Sequence, residues 1–158
     1  MIKVLFVCLG NICRSPMADG IMRQKVKEAG LDSKIIVDSA GTGSWHVGER
    51  AHKGTLAILE KNDIPYDGRA RQFKRRDLSD FDYILAMDKG NLRNIEKVAG
   101  GDSDGEIRTF LSYANDAGVT SFIEVPDPYY DNRFDDVYEL VNQGCDALLA
   151  HIKKQHDL

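Results

Sequence analysis

IKVLFVC (residues 2–8) runs directly into LGNICRSP (residues 9–16) at the start of the chain. The first segment is almost continuously apolar and β-branched, the pattern of a strand buried on both faces of a parallel sheet. The second is a turn-rich loop. It closes on Ser15-Pro16, which reads as a helix start: a capping hydroxyl, then proline at the first helical position. Ala18, Met22, Val26 and Ala29 follow at helical spacing, and Gly30 marks the end of that helix.

Moving outward, Ile35, Ile36 and Val37 predict a second short strand, ending in the loop SAGTGSWHVGE (residues 39–49). A helix is expected over residues 51–62, with Leu56 and Leu59 facing inward. FDYILAM (residues 81–87) predicts a third strand, with helical residues from Asn91 to Val98 after it. The stretch GGDSDGE (residues 100–106) is a loop; its DSDG resembles the opening of a calcium loop, but its flanks do not complete that pattern, so it reads as a surface turn. A fourth strand is expected over residues 106–110. Val137, Leu140, Val141, Leu148 and Ile152 form the apolar stripe of a last helix. The alternation predicts one α/β domain over residues 1–158: an open parallel sheet of about four strands, with helices on both faces.

The bulk numbers narrow the function. Hydrophobic residues make up 42% and charged residues 29%, an ordinary globular balance. A net charge of −4 argues against nucleic acid or a membrane surface as the partner, so any attraction for anions has to be local. The three cysteines, Cys8, Cys13 and Cys145, form no secreted disulfide framework. The apolar start lacks the layout of a cleavable signal, and no stretch is long enough to span a bilayer. A cytoplasmic location is therefore expected.

In open α/β sheets ligands gather at the carboxyl ends of the strands. The first such end carries Cys8-Leu9-Gly10-Asn11-Ile12-Cys13-Arg14-Ser15. Five residues separate Cys8 from Arg14, the spacing of an anion cradle: successive N–H groups can point at one centre, and the next helix adds its positive end. Arg14 can close the ring with a planar fork matched to two phosphoryl oxygens. The same field favours a thiolate at Cys8, with the Ser15 hydroxyl placed to donate to its sulfur, making a nucleophile. Singly, each residue has a plain structural explanation: a small buried thiol, a capping serine, a solvated arginine. Their joint occurrence with Gly10 and Asn11 is what points to chemistry. Nucleotide hydrolysis on a Walker loop is disfavoured, because Cys-Arg-Ser stands where Gly-Lys-Ser or Gly-Lys-Thr is needed, and no dinucleotide fingerprint is present.

The chain resembles the low-molecular-weight protein tyrosine phosphatases over essentially its whole length. The resemblance rests on VCLGNICRSPMAD (residues 7–19), DSAGT (38–42), ARQF (70–73), DYILAMD (82–88) and DPYY (127–130). It implies a flavodoxin-like sheet and a two-step reaction needing no metal or other cofactor, through a phosphocysteine on Cys8. Asp127, flanked by Pro126 and Pro128, would be the general acid and then the general base. Asn11, Ser15 and Ser39 would support the loop. Leu9, Ile12, Trp45 and Tyr129 would line the phosphotyrosine pocket, with His46 beside it. Phosphotyrosine proteins or peptides would be substrates, inorganic phosphate the product and an inhibitor, and a tyrosine kinase acting on Tyr129 or Tyr130 a possible partner. Where some relatives carry histidine in the loop-supporting network, this chain has Gly68, which puts that support of Asn11 in doubt.

Alternatives remain on the same scaffold. Protein-arginine phosphatases similar to this family carry threonine at the position of Ile12, so a bulky apolar residue favours an aryl ester. Arsenate reductases need two more cysteines around residues 80–95, and DYILAMDKGNLRNIE has none. A non-catalytic phosphate-binding module would need neither thiol nor acid. A dithiol redox protein would use Cys8 and Cys13, which lack Cys-x-x-Cys spacing. As a separate expectation, peroxide would drive a reversible Cys8–Cys13 disulfide that protects the nucleophile. Cys145 is expected to be a buried core thiol. The basic run Arg69, Arg71, Lys74, Arg75 and Arg76 reads as a solvated face that can also attract acidic segments.

Overall fold

The computed structural model describes residues 1–101 and 103–158. Asp102, the first residue of the DSDG turn, lies outside them. The elements in chain order are β1 (Ile2–Cys8), α1 (Arg14–Glu28), β2 (Ile35–Gly41), α2 (Lys53–Lys61), α3 (Asp77–Asp80), β3 (Tyr83–Ala86), α4 (Lys89–Ala99), β4 (Glu106–Thr109), α5 (Ser112–Asp116) and α6 (Phe134–Gln155). The four strands form one parallel sheet in the order β2-β1-β3-β4.

The period-2 geometry of β1 explains why its sequence is apolar throughout. Val4, Phe6 and Cys8 face one core, shared with Met17, Ile21 and Met22 of α1 and Val141, Leu148 and Ile152 of α6. Leu5 and Val7 face a second core on the other side of the sheet, with Ile84, Phe73, Leu78, Ile95 and Ala99. Helices therefore cover both faces, as the alternation of elements predicts. The ring centroids of Phe6 and Phe110 lie 5.1 Å apart, edge to face. Such an aromatic pair contributes about 0.5–1.5 kcal/mol beyond its area burial.

Several expectations change in detail. β2 continues to Gly41, so Ser39 is a strand residue and not part of a loop. α1 begins at Arg14, with Cys13 in the capping position and no side-chain cap. Ser15 is therefore inside the first turn, and its hydroxyl is free to bond elsewhere. Pro16 remains harmless there, because N–H groups of the first helical turn have no intrahelical acceptor. Leu56 and Leu140 are only half-buried; α2 buries Thr55, Ile58 and Leu59, and α6 buries Cys145 in line with Val141 and Leu148. The short helices α3 and α5 were not expected. No helix among the described residues is long and apolar enough to cross a membrane.

Candidate active site

β1 delivers Cys8 to the carboxyl edge of the sheet, and the loop from Leu9 to Cys13 curls back over it. The carbonyls of Cys8, Leu9, Ile12 and Cys13 are bonded to the segment that follows β2. Thr42 N donates to Cys8 O at 2.9 Å, Gly43 N to Leu9 O at 2.9 Å, and His52 N to Ile12 O at 2.7 Å. Thr55 Oγ1 donates to Cys13 O at 3.0 Å. With these carbonyls engaged elsewhere, loop N–H groups remain available to an anion. Among the described residues the amides of Gly10, Ile12 and Cys13 donate to no protein group. Gly41 allows this close approach: a Cβ there would stand 2.9 Å from Leu9 O and 3.0 Å from Asn11 N.

The Cys8 Sγ accepts from Asn11 N at 3.2 Å and lies 3.0 Å from Ser15 Oγ. Asn11 adopts φ 58°, a left-handed conformation that asparagine tolerates better than most residues. Its side chain is bonded at both ends. Nδ2 donates to Ser15 Oγ at 2.8 Å and to Ser39 Oγ at 3.0 Å, and Oδ1 accepts from Arg71 N at 2.9 Å. Arg71 is not the solvated charge expected from the basic run. Its guanidinium bridges Asp38 and the buried Asp77, which fixes the backbone that holds Asn11.

Arg14 is only 3% exposed. A guanidinium so buried costs several kcal/mol unless paired. Its Nη1 donates to Asp88 Oδ2 at 2.7 Å and to the Val125 carbonyl at 3.0 Å. Burial alone would weaken its charge, but the Cys8 sulfur, Asp88 and Asp127 outweigh it and raise its pKa above the usual value. With Nη1 spent on the protein, Nε and Nη2 remain as the side-on fork for two oxygens of an anion. Asp88 is a site residue that the sequence reading missed. It caps α4 by accepting from Asn91 N at 2.7 Å, and its position just past a buried strand and just before a helix was an available signal.

Asp127 comes to the same place from the far end of the chain, with Oδ2 3.7 Å from Arg14 Nη2. Its Oδ1 accepts from Tyr129 N at 3.0 Å, which holds the Asp-Pro turn in shape. A cavity of about 290 Å³ opens above the loop. Cys8, Arg14 and Asp127 line it together with Leu9, Ile12, Trp45, His46 and Tyr129, and so does Tyr130, which was not expected there. Trp45 is 70% exposed, so it forms an outer wall and not a core plug.

Two further thiols lie buried in the core. Cys13 is pushed up to about 12, first by burial and then by Asp127 and Cys8, so it stays a neutral thiol. Burial also raises Cys145, which is fully enclosed in α6. All three cysteines are unpaired.

Comparison with known proteins places this arrangement. A sequence profile of the low molecular weight phosphotyrosine protein phosphatase family matches residues 3–158. The chain is 48% identical over 159 residues to the Bacillus subtilis low molecular weight protein-tyrosine-phosphatase YfkJ, covering 100% of both chains. It is also 48% identical to the Staphylococcus epidermidis PtpA, covering 100% of this chain and 98% of that one. The crystal structure of the Bacillus subtilis YfkJ superposes with a TM-score of 0.93, covering 98% of this chain and 96% of that one. A Drosophila arginine phosphatase, 34% identical, superposes with a TM-score of 0.89 over 96% of this chain and 98% of that one. The chain belongs to the low molecular weight phosphotyrosine protein phosphatase family, and it is a phosphatase.

Proposed function

We propose that the whole chain acts as one domain that hydrolyses phosphotyrosine in proteins or peptides, and small aryl phosphates, through a phosphocysteine on Cys8. The observation that carries this reading is the convergence of a sulfur hydrogen-bonded inside an amide-lined loop, a buried guanidinium with a free fork, and a carboxyl group 3.7 Å from that guanidinium. In the first step the Cys8 thiolate attacks phosphorus, forming an S–P bond as the P–O bond to the phenol breaks. Arg14 and the loop amides stabilise the charge spreading over the three equatorial oxygens. Asp127 gives its proton to the departing phenolate oxygen. In the second step water attacks phosphorus, Asp127 takes a proton back, and the S–P bond breaks to release inorganic phosphate. Phosphate then competes for the same loop. No residue in this scheme calls for a metal, and the cytoplasm, where thiols stay reduced, is its expected setting.

The aryl group would lie among Leu9, Ile12, Trp45 and Tyr129. Ile12 favours a phenyl ring over the polar guanidine of phosphoarginine. The overall fold does not separate the two activities, given the likeness to an arginine phosphatase. Matched phosphotyrosine and phosphoarginine peptides, assayed with a chelator present, decide it. Turnover of the phosphotyrosine peptide is expected to be strongly preferred and unaffected by chelation. Preference for phosphoarginine overturns the substrate reading, and loss of activity on chelation overturns the mechanism.

Oxidation belongs to the same proposal. Peroxide converts the Cys8 thiolate to a sulfenic acid, and the Cys13 sulfur then displaces hydroxide from it to form a disulfide. Because Cys13 is held as the neutral thiol, this closure is expected to be slow at neutral pH. Intact-mass analysis should show a product two hydrogens lighter that reverts with dithiothreitol; a sulfonic acid on Cys8 as the sole product would rule the disulfide out.

A further inference from the structure

A chain of hydrogen bonds runs from the Cys8 sulfur, through Ser15, Asn11 and Ser39, beyond the loop to two residues with no role in the scheme above. Tyr66 Oη lies 3.5 Å from Ser39 Oγ and donates to Asp19 Oδ2 at 3.0 Å. Asp19 is 1% exposed, and its Oδ1 accepts from Arg23 Nε at 2.5 Å. Both carboxyl oxygens of Asp19 are thus acceptors, which commits the only hydrogen of Tyr66 to it. Burial, then the neighbouring Asp19, raise the Tyr66 phenol above its ordinary pKa, so that hydrogen is retained.

This fixes the direction of the Ser39 bond, while Arg71 fixes that of the Asn11 amide. With its hydrogen committed, the Tyr66 oxygen can only accept, so Ser39 donates to it. Ser39 Oγ then accepts from one hydrogen of Asn11 Nδ2, and Ser15 Oγ accepts from the other. The Arg71 N–H on Oδ1 prevents the Asn11 amide from turning over. The Ser15 hydrogen is left with the Cys8 sulfur at 3.0 Å or the Ala40 carbonyl at a poorer 3.4 Å. A hydroxyl donating to sulfur stabilises a thiolate, whereas one accepting from it stabilises the thiol.

We propose that Tyr66 and Asp19 are positioning residues for the nucleophile: by taking the Ser39 hydrogen they hold Ser39 as the acceptor that seats the Asn11 amide, and that amide in turn leaves the Ser15 hydrogen for the Cys8 sulfur. Gly68 is part of the device. A Cβ at that position would stand 2.5 Å from Tyr66 Oη, so glycine there is what admits the phenol. The position where some relatives carry histidine is, in this chain, space filled by the side chain of Tyr66. The inference rests on the reading of Cys8 as the nucleophile.

Iodoacetamide labelling of Cys8 against pH, followed by mass spectrometry, tests it together with kcat and KM for para-nitrophenyl phosphate. Cys13 and Cys145, raised by burial, should stay unlabelled through neutral pH. In Tyr66→Phe the labelling profile is expected to move to higher pH, so that the rate on its acidic limb falls roughly three- to ten-fold. The kcat should fall with it, while KM changes less. Gly68→Ala keeps the phenol but pushes its oxygen away from Ser39, and is expected to give the same shift. Its effect is read even if Tyr66→Phe fails to fold. Parent-like labelling and kcat in a folded Tyr66→Phe or Gly68→Ala protein would overturn the inference. A parent protein whose Cys8 labels no faster than Cys13 would overturn the nucleophile reading, and the inference with it.

Discussion

Cys8→Ser is expected to abolish turnover of para-nitrophenyl phosphate while leaving phosphate binding nearly intact. The sulfur is the group that forms the covalent bond to phosphorus, and a serine hydroxyl at that point stays protonated and is a far weaker nucleophile. Losing the nucleophile of a covalent mechanism costs on the order of 10⁴- to 10⁶-fold in kcat, or about 5.5–8 kcal/mol of barrier. Most of the bonds that shape the anion cradle do not involve the sulfur, and a serine oxygen can accept the Asn11 N–H in its place. The loop carbonyls are tied down by Thr42, Gly43, His52 and Thr55, and Arg14 is anchored by Asp88 and the Val125 carbonyl. Calorimetric titration with inorganic phosphate should therefore give similar affinity in the variant and the parent. Removing the thiolate also removes a negative charge from the ring, so a modest gain in affinity fits the same picture. Residual turnover within about ten-fold of the parent would show that Cys8 is not the nucleophile.

Asp127→Ala is expected to slow hydrolysis by roughly 10²- to 10⁴-fold for substrates with poor leaving groups, the usual contribution of a positioned general acid. The size of the loss should depend on the phenol. A nitrophenolate departs without help, whereas a tyrosine phenolate needs a proton as the P–O bond breaks. The slope of log kcat/KM against leaving-group pKa should steepen markedly in the variant. An equal loss across a series of aryl phosphates would mean that Asp127 acts only through its 3.7 Å approach to Arg14, holding the guanidinium and not transferring a proton.

The sequence reveals some parts of this protein far more readily than others. β1 and α6 are long enough to carry a period, and the apolar run into Cys8 identifies a doubly covered parallel strand on its own. The helices α3 and α5 span 4 and 5 residues, too few for any pattern to emerge. Ser15 misleads as a cap, because a capping hydroxyl and a thiolate-bonding hydroxyl have the same appearance before Pro16. What separates them is whether the preceding loop turns back on the strand end, and that depends on Asn11 finding Ser39 and Arg71 from distant parts of the chain. Asp127 was assigned through family resemblance, since an Asp before Pro is otherwise an ordinary turn starter. Tyr66 belongs to no local motif and acts through partners more than 25 residues away, whereas Asp88 sits in the DYILAMD stretch and reads locally as a helix cap, its hold on Arg14 appearing only in the fold. Gly68 was seen as a missing side chain, when the structure shows that another residue already fills the place.

Asp88 closes one strand end and holds Arg14, which belongs to the helix following a different strand. Ser39 and Gly41 bring in a third. The octapeptide from Cys8 to Ser15 is thus not a portable cassette. Grafted onto another strand–loop–helix unit, it would retain its composition yet relax out of shape, because the bracing comes from neighbours that the graft leaves behind.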